Sequence, residues 1–208
     1  SFTIANKKLW TNSKYTDSNL SLIYNIGEFN AKVKNSDSLK IIGRNIFVIK
    51  YGYKFPFWKR ELDDRTISKE YKYIPKLIEE SVIWKTSITS GAFIYSDDSY
   101  QRALILNTGP VITLGQFKKS FADYTKIKLD LTYPFKDGES PFSFDDINDN
   151  QRVKLYISQQ IFGPLLFSYE TSINLESDHK NHGSLSKPKY RLDLKRRAYS
   201  LGAFYDVR

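Results

Sequence analysis

Few residues of this chain have the type and spacing that chemistry demands. Both histidines, His179 and His182, share one polar segment with Asp178. That trio could gather a metal ion if a second element anchored it, and without one an ordinary exposed loop is expected. The adjacent carboxylates Asp63 and Asp64, Glu79 and Glu80, and Asp97 and Asp98 would point to opposite faces of an extended chain, so they make no acid/base pair. The run 145–150 (DDINDN) has the composition of a calcium loop. Counting from Asp146, however, its sixth position is Gln151 and its twelfth is Ile157, where such a loop needs Gly and a bidentate Glu. A solvated acidic loop is expected there, at most in loose contact with divalent cations. The chain has no cysteine, no Gly-x-Ser-x-Gly elbow and no glycine-rich phosphate loop. The sequence therefore predicts no enzyme, no cofactor and no bound metal.

The charged residues that remain are arranged by a period of two. In the stretch 121–133, Phe121, Ile127, Leu129, Leu131 and Tyr133 fall on one face of an extended chain, with Asp123 and Thr125 among them; Lys126, Lys128 and Asp130 fall on the other. Val153, Leu155, Ile157 and Ile161 alternate with Arg152, Lys154, Ser158 and Gln160. Leu165, Phe167, Tyr169, Thr171, Ile173 and Leu175 alternate with Ser168, Glu170, Ser172 and Asn174. Three successive strands, each with one greasy and one charged face, are predicted. Leu20 to Ile26, Phe47 to Phe55 and Val82 to Ile88 repeat the pattern less tidily. Near the end, Tyr190, Leu192 and Leu194 share one parity and Tyr199, Leu201, Ala203, Tyr205 and Val207 the other, so a bulge or a tight turn falls near Arg196.

Turn signals punctuate these strands. Gly109-Pro110, Lys118 to Ser120 and Gly163-Pro164 read as short breaks; Arg60 to Tyr73, Pro134 to Asn150 and Glu176 to Pro188 read as long polar loops. From Phe121 onward the long loops all fall on one edge, as in outer-membrane barrels; upstream the rule falters. With no internal repeat and no linker, residues 1–208 read as a single all-β region, an antiparallel up-and-down meander. No apolar run approaches the roughly 20 residues of a spanning helix. The first residues, beginning at Ser1, have no leader character, which suggests a fragment or a processed chain. The net charge of +9 is scattered among acidic residues without an aromatic RNA-binding signature, so no nucleic-acid partner is expected.

Such alternation fits either a transmembrane barrel or a soluble sandwich. Strands long enough for a tilted membrane crossing favour the barrel, as do aromatic groups at strand ends: Phe55, Phe57 and Trp58 beside Lys59 and Arg60, and Tyr133 beside Phe135. In a barrel, Phe121, Ile127, Leu129, Leu131, Leu155, Ile157, Phe167, Ile173 and Leu175 would face lipid. Lys126, Lys128, Asp130, Arg152, Lys154, Glu170, Arg191, Asp193, Lys195 and Arg197 would line a hydrated lumen, where pairing across strands is the plainer role for any one of them.

The runs DYTKIKL (123–129), KDGESPFSFDDINDNQ (136–151), QQIFGPLLFSYETSINL (159–175) and KRRAYSLGAFYDVR (195–208) resemble the C-terminal region of large cyanobacterial outer-membrane proteins of the LptD type. The resemblance covers about half of the chain, and the N-terminal half matches only in style. It implies a large antiparallel barrel in the cell outer membrane that receives lipopolysaccharide from periplasmic bridge proteins, with a lipoprotein plug as a further partner. This stretch would supply the later strands of the wall, and the periplasmic β-jellyroll and the closing strand would lie outside it. Two rivals stay open: another outer-membrane barrel, a porin or receptor, and a soluble basic β-sandwich that binds acidic polysaccharide.

Overall fold

Alternating β-branched and aromatic residues stay extended because their side chains pack best on a pleated surface, and among the described residues they form ten strands. The computed structural model describes residues 7–10, 17–34, 39–60, 78–115, 121–147, 150–176, 183–196 and 198–207. The strands are β1 (Lys7–Trp10), β2 (Asp17–Lys32), β3 (Leu39–Lys59), β4 (Ser81–Tyr95), β5 (Tyr100–Leu114), β6 (Thr125–Gly138), β7 (Arg152–Phe162), β8 (Leu165–Asn174), β9 (Lys189–Lys195) and β10 (Ser200–Asp206). They form one sheet in sequence order, β1 to β10, with β1 and β10 at its edges. The registered pairs β1/β2, β2/β3, β7/β8, β8/β9 and β9/β10 are all antiparallel. The expected all-β antiparallel meander is what forms, with no helix among the described residues.

Several local expectations need correction. Gly109-Pro110 is no turn: β5 runs straight through it. A Cβ at Gly109 would collide with the carbonyl oxygen of Leu129, so this glycine admits the neighbouring backbone. Pro134 likewise starts no loop, because β6 continues to Gly138. Phe121 precedes β6 and makes an isolated bridge to Phe162, next to Ala122 with its positive φ of 53°. Leu175 lies just past the end of β8. The change of phase near Arg196 is a tight turn and not a bulge: Ser200 pairs with Lys195, and the Arg196 N–H donates to Tyr199 O at 2.9 Å.

The chain's contacts divide it into two compact units. Unit 1 comprises Ser1–Lys54, Thr86–Asn107 and Thr132–Gln151. Its core is Ile42, Tyr95 and Phe142, with Phe29, Ala31, Val33 and Phe93 packed against them. Unit 2 comprises Phe55–Lys85, Thr108–Leu131 and Arg152–Arg208, where Leu166 is buried against Ile78 and Tyr124.

Candidate functional site

In unit 2 the register assigns the faces of four strands. Val153 pairs with Ile173, Leu155 with Thr171, Ile157 with Tyr169 and Gln159 with Phe167. Phe167 then meets Leu192 and Tyr169 meets Tyr190, which pairs with Tyr205 on β10, while Leu194 pairs with Leu201. Directly paired residues share a face, so one side of β7 to β10 is largely apolar and aromatic, interrupted by Gln159 and by Thr171, which is buried and donates to Ser186 O at 3.1 Å. This side includes the candidates Leu155, Ile157, Phe167 and Ile173. In β6, Leu129 is exposed and Ile127 and Leu131 are half-buried, whereas Phe121 beyond the strand is exposed.

The opposite side of the same strands is polar and knitted together. Lys154 Nζ lies 2.8 Å from Glu170 Oε1, and Arg191 Nε lies 2.8 Å from Asp193 Oδ2. Lys128 is ion-paired with Asp130, two residues along β6. Ser158 and Ser168 share a hydrogen bond of 3.0 Å, and Gln160 donates from Nε2 to Gly163 O at 2.7 Å. Tyr156, Ser168, Glu170, Lys189, Arg191 and Asp193 border a concavity of about 490 Å³. Of the other polar candidates, Lys126 and Lys195 are half-buried, Arg152 is exposed, and Arg197 lies outside the described residues. Sequence reasoning missed Gly202. A Cβ there would strike the Asp193 carboxylate and crowd the Arg191 guanidinium, so its bareness makes room for that pair. The pairing Gly202↔Asp193 is the only clue, and it appears once the hairpin register is known.

An aromatic group forms at one end of β3 in unit 2, with Trp84 of β4 in it in place of the expected Trp58. Phe57 meets Phe55 and Trp84 edge-on, with ring centroids 5.2 and 6.5 Å away. The Trp84 indole N–H donates to Thr108 Oγ1 at 2.8 Å. The neighbouring cations are paired, Lys59 with Glu79 at 2.9 Å and Arg60 with Glu80 at 2.5 Å.

Unit 1 repeats the two-faced design. Leu22, Tyr24, Phe47, Tyr51 and Tyr53 are exposed on one side of the β2/β3 pair, where Tyr24 meets Phe47 and Leu20 meets Tyr51. Ile42, Arg44 and Ile46 occupy the other side, and there the acidic loop departs from expectation. The segment 139–147 is only partly solvated, with Ser140 and Phe142 buried and Glu139, Ser143 and Phe144 exposed. It lies as a strap on the sheet, with Phe142 fully buried, stacked on Phe144 at 5.0 Å and edge-on to Tyr95 at 6.1 Å. Asp146 is bonded by Lys136 Nζ at 2.6 Å, Lys34 Nζ at 2.8 Å and Gln101 Nε2 at 3.0 Å. Asp145 is ion-paired with Arg44, whose guanidinium stands 4.0 Å over the Phe29 ring. Both carboxylates are thus taken by side-chain cations, and loose calcium contact at these two residues is not what the loop is built for.

Hydrogen bonds from Lys136, then Lys34, push the Asp146 pKa down from 3.8 to about 2. A depressed carboxylate pKa contributes stability that is present above the unfolded value and lost as pH falls through the folded one. The strap should therefore hold at pH 4 and release as pH approaches 2. Pepsin cleavage at Phe142 and Phe144, normalised to the denatured chain, is expected to accelerate over that interval; a flat rate ratio would contradict it.

Among the described residues no His/Cys/Asp/Glu cluster could hold a metal, and no helix is long and apolar enough to cross a membrane. Asp178, His179 and His182, weighed above as a metal trio and expected to be an ordinary loop, and the pair Asp63-Asp64 lie outside the described residues. No curated protein and no solved structure matches the chain. Residues 6–208 match the family described as "Protein of unknown function (DUF3769)", and with nearly its whole length covered the chain belongs to that family.

Proposed function

We propose that this chain is part of the wall of a transmembrane outer-membrane β-barrel that transports an amphiphile, with lipopolysaccharide as the cargo. One observation carries the barrel reading: large apolar side chains stand exposed along the strands while many polar ones are buried. Among the described residues, Gln101, Gln160, Ser158, Ser168 and Asp193 are buried, beside apolar groups such as Ile42, Val111 and Phe142, while Tyr24, Phe47, Phe57, Trp84 and Leu201 are exposed. Monomers in water rarely leave contiguous apolar patches beyond a few hundred Å²; hydrocarbon is the solvent in which such a face costs nothing. Strands of 21, 15 and 15 residues in β3, β4 and β5 exceed the roughly 9 to 11 needed for a tilted crossing.

The cargo is supported by the resemblance to LptD-type proteins in the runs quoted above, together with a polar face suited to hydrated head groups. The protein acts without catalysis; energy, periplasmic bridge and lipoprotein plug are supplied by partners. Segregation of loops by length favours the barrel only from β6 on: 139–151 and 175–188 alternate with 163–164 and 196–199, whereas 60–80 and 115–124 break the order.

Tryptophan quenching tests the membrane reading. In a Trp10→Phe variant, fluorescence arises from Trp58 and Trp84, both exposed. Refolded with vesicles whose acyl chains are brominated near the head groups, the chain should lose most of this emission. Unquenched emission from a protein that stays monomeric in water would instead favour the soluble sandwich.

A further inference from the structure

The strap of unit 1 holds its two aspartates in a cradle of donors drawn from four separate parts of the chain. Lys34 follows β2, Arg44 lies in β3, Gln101 in β5 and Lys136 in β6. Three of these donors converge on the two oxygens of a single carboxylate, Asp146, at 2.6 to 3.0 Å. Arg44 holds the adjacent Asp145, whose Oδ2 lies 3.4 Å from the Tyr95 hydroxyl oxygen. Two ammonium groups, a guanidinium and an amide N–H are the donor set that proteins use for tetrahedral oxyanions. Gln101 is completely buried, and its N–H side is turned to the anion position, where Nε2 donates to Asp146.

Apart from these ion pairs, the covering segment is anchored by Phe142 on Tyr95 and Phe144 on Phe29. Its backbone bonds to the rest of unit 1 include Lys34 N–H to Pro141 O at 2.7 Å, and the Tyr95 hydroxyl donates to Ser140 Oγ at 2.9 Å. A dianion brings two charges to the same cations without spending backbone entropy on ordering nine residues, so it can compete with the strap.

We propose that Lys34, Arg44, Gln101 and Lys136 form a binding site for a phosphate-type oxyanion, and that residues 139–147 close it by presenting Asp145 and Asp146 as a built-in substitute for the ligand. The ligand is a phosphoryl group, carried either by a small molecule in solution or by a lipid head group. Binding displaces the strap and bares Ile42 and Tyr95, against which Phe142 packs. The site is independent of whether the opposite face meets lipid, so it goes beyond the function proposed above.

The test uses the whole chain refolded in detergent micelles, with inorganic pyrophosphate as the soluble probe and phosphatidate-doped micelles as the lipid one. Asp145→Asn with Asp146→Asn empties the cradle of carboxylate. This double variant should bind pyrophosphate at least 10-fold more tightly than the parent, and adding Lys34→Ala and Lys136→Ala should abolish the gain. A gain only with phosphatidate would assign the ligand to a head group, and one with pyrophosphate to a soluble phosphate. No gain with either probe would overturn the proposal. Because the double variant could misfold, a second measurement uses the intact strap. The chain has no cysteine, so Ser140→Cys supplies a lone thiol at a position that is 2% exposed. Its alkylation at neutral pH should speed up at least 5-fold with pyrophosphate at constant ionic strength, and not with chloride. Equal rates in the two salts would also overturn the proposal.

Discussion

Leu129→Arg is expected to cut assembly of the chain into lipid vesicles by roughly 30- to 1000-fold, the equivalent of about 2 to 4 kcal/mol for a cation at mid-membrane on the outer face of a barrel. Leu129 is 38% exposed, and its strand continues on both sides, from Thr125 to Gly138. The position is thus neither core nor loop, and its side chain meets whatever covers that face. Lys128→Leu, one residue away, changes the opposite face. It removes the pair with Asp130, both members partly exposed, and pairs of that kind contribute about 1 kcal/mol or less. The two variants should therefore diverge, with Lys128→Leu retaining near-parental yield. Folded yield can be read from the heat-sensitive mobility shift of barrels on gels and by protease protection. Parental assembly of Leu129→Arg would remove hydrocarbon from that face. Equal failure of both variants would point to a sheet covered by protein on both sides.

The strands of unit 2 were legible because their partners are close in sequence. Ile157 finds Tyr169 across the two-residue break 163–164, and the alternation that marks each strand also fixes which side chains meet. The breaks were harder to read. Gly109-Pro110 carries a turn composition, yet proline can sit in a strand where its missing N–H is not needed, and glycine can serve a close approach as readily as a turn. The parity change near Arg196 was visible in the sequence, but its cause was not, since a hairpin and a bulge shift phase alike. The strap was beyond local reading. Asp146 reaches Lys34 across 112 residues and Asp145 reaches Arg44 across 101. A polar loop gives no sign of such partners except the two phenylalanines of its Phe142-Ser143-Phe144 run, which a solvated loop has no reason to carry.

Gly109→Ala is expected to destabilise the folded chain by about 3 kcal/mol or more, at the upper end of what overpacking produces. The added methyl would enter the space of the Leu129 carbonyl group, which belongs to backbone and cannot rotate away. Gly109 itself is buried, with Val111 close by at 4% exposure, so the residue cannot shift outward without disturbing β5. To admit the methyl, β5 and β6 must part locally, and amides that leave the ladder there lose their partners. Gly91→Ala in β4 is the control. A Cβ at that position approaches the Phe93 ring edge at 3.2 Å and Val48 Cγ2 at 3.6 Å, side-chain atoms that can yield by a few tenths of an ångström. Its cost should stay within about 1 kcal/mol, offset in part by the lower entropy of alanine in the unfolded chain. Urea midpoints of the two variants, refolded under identical conditions, should separate them clearly. A Gly109→Ala midpoint equal to that of Gly91→Ala would mean that β5 bends at Gly109-Pro110, as the turn composition suggested, and that the close approach of Leu129 is absent. The comparison holds in micelles or in water, so it tests the strand pairing independently of what the apolar face touches.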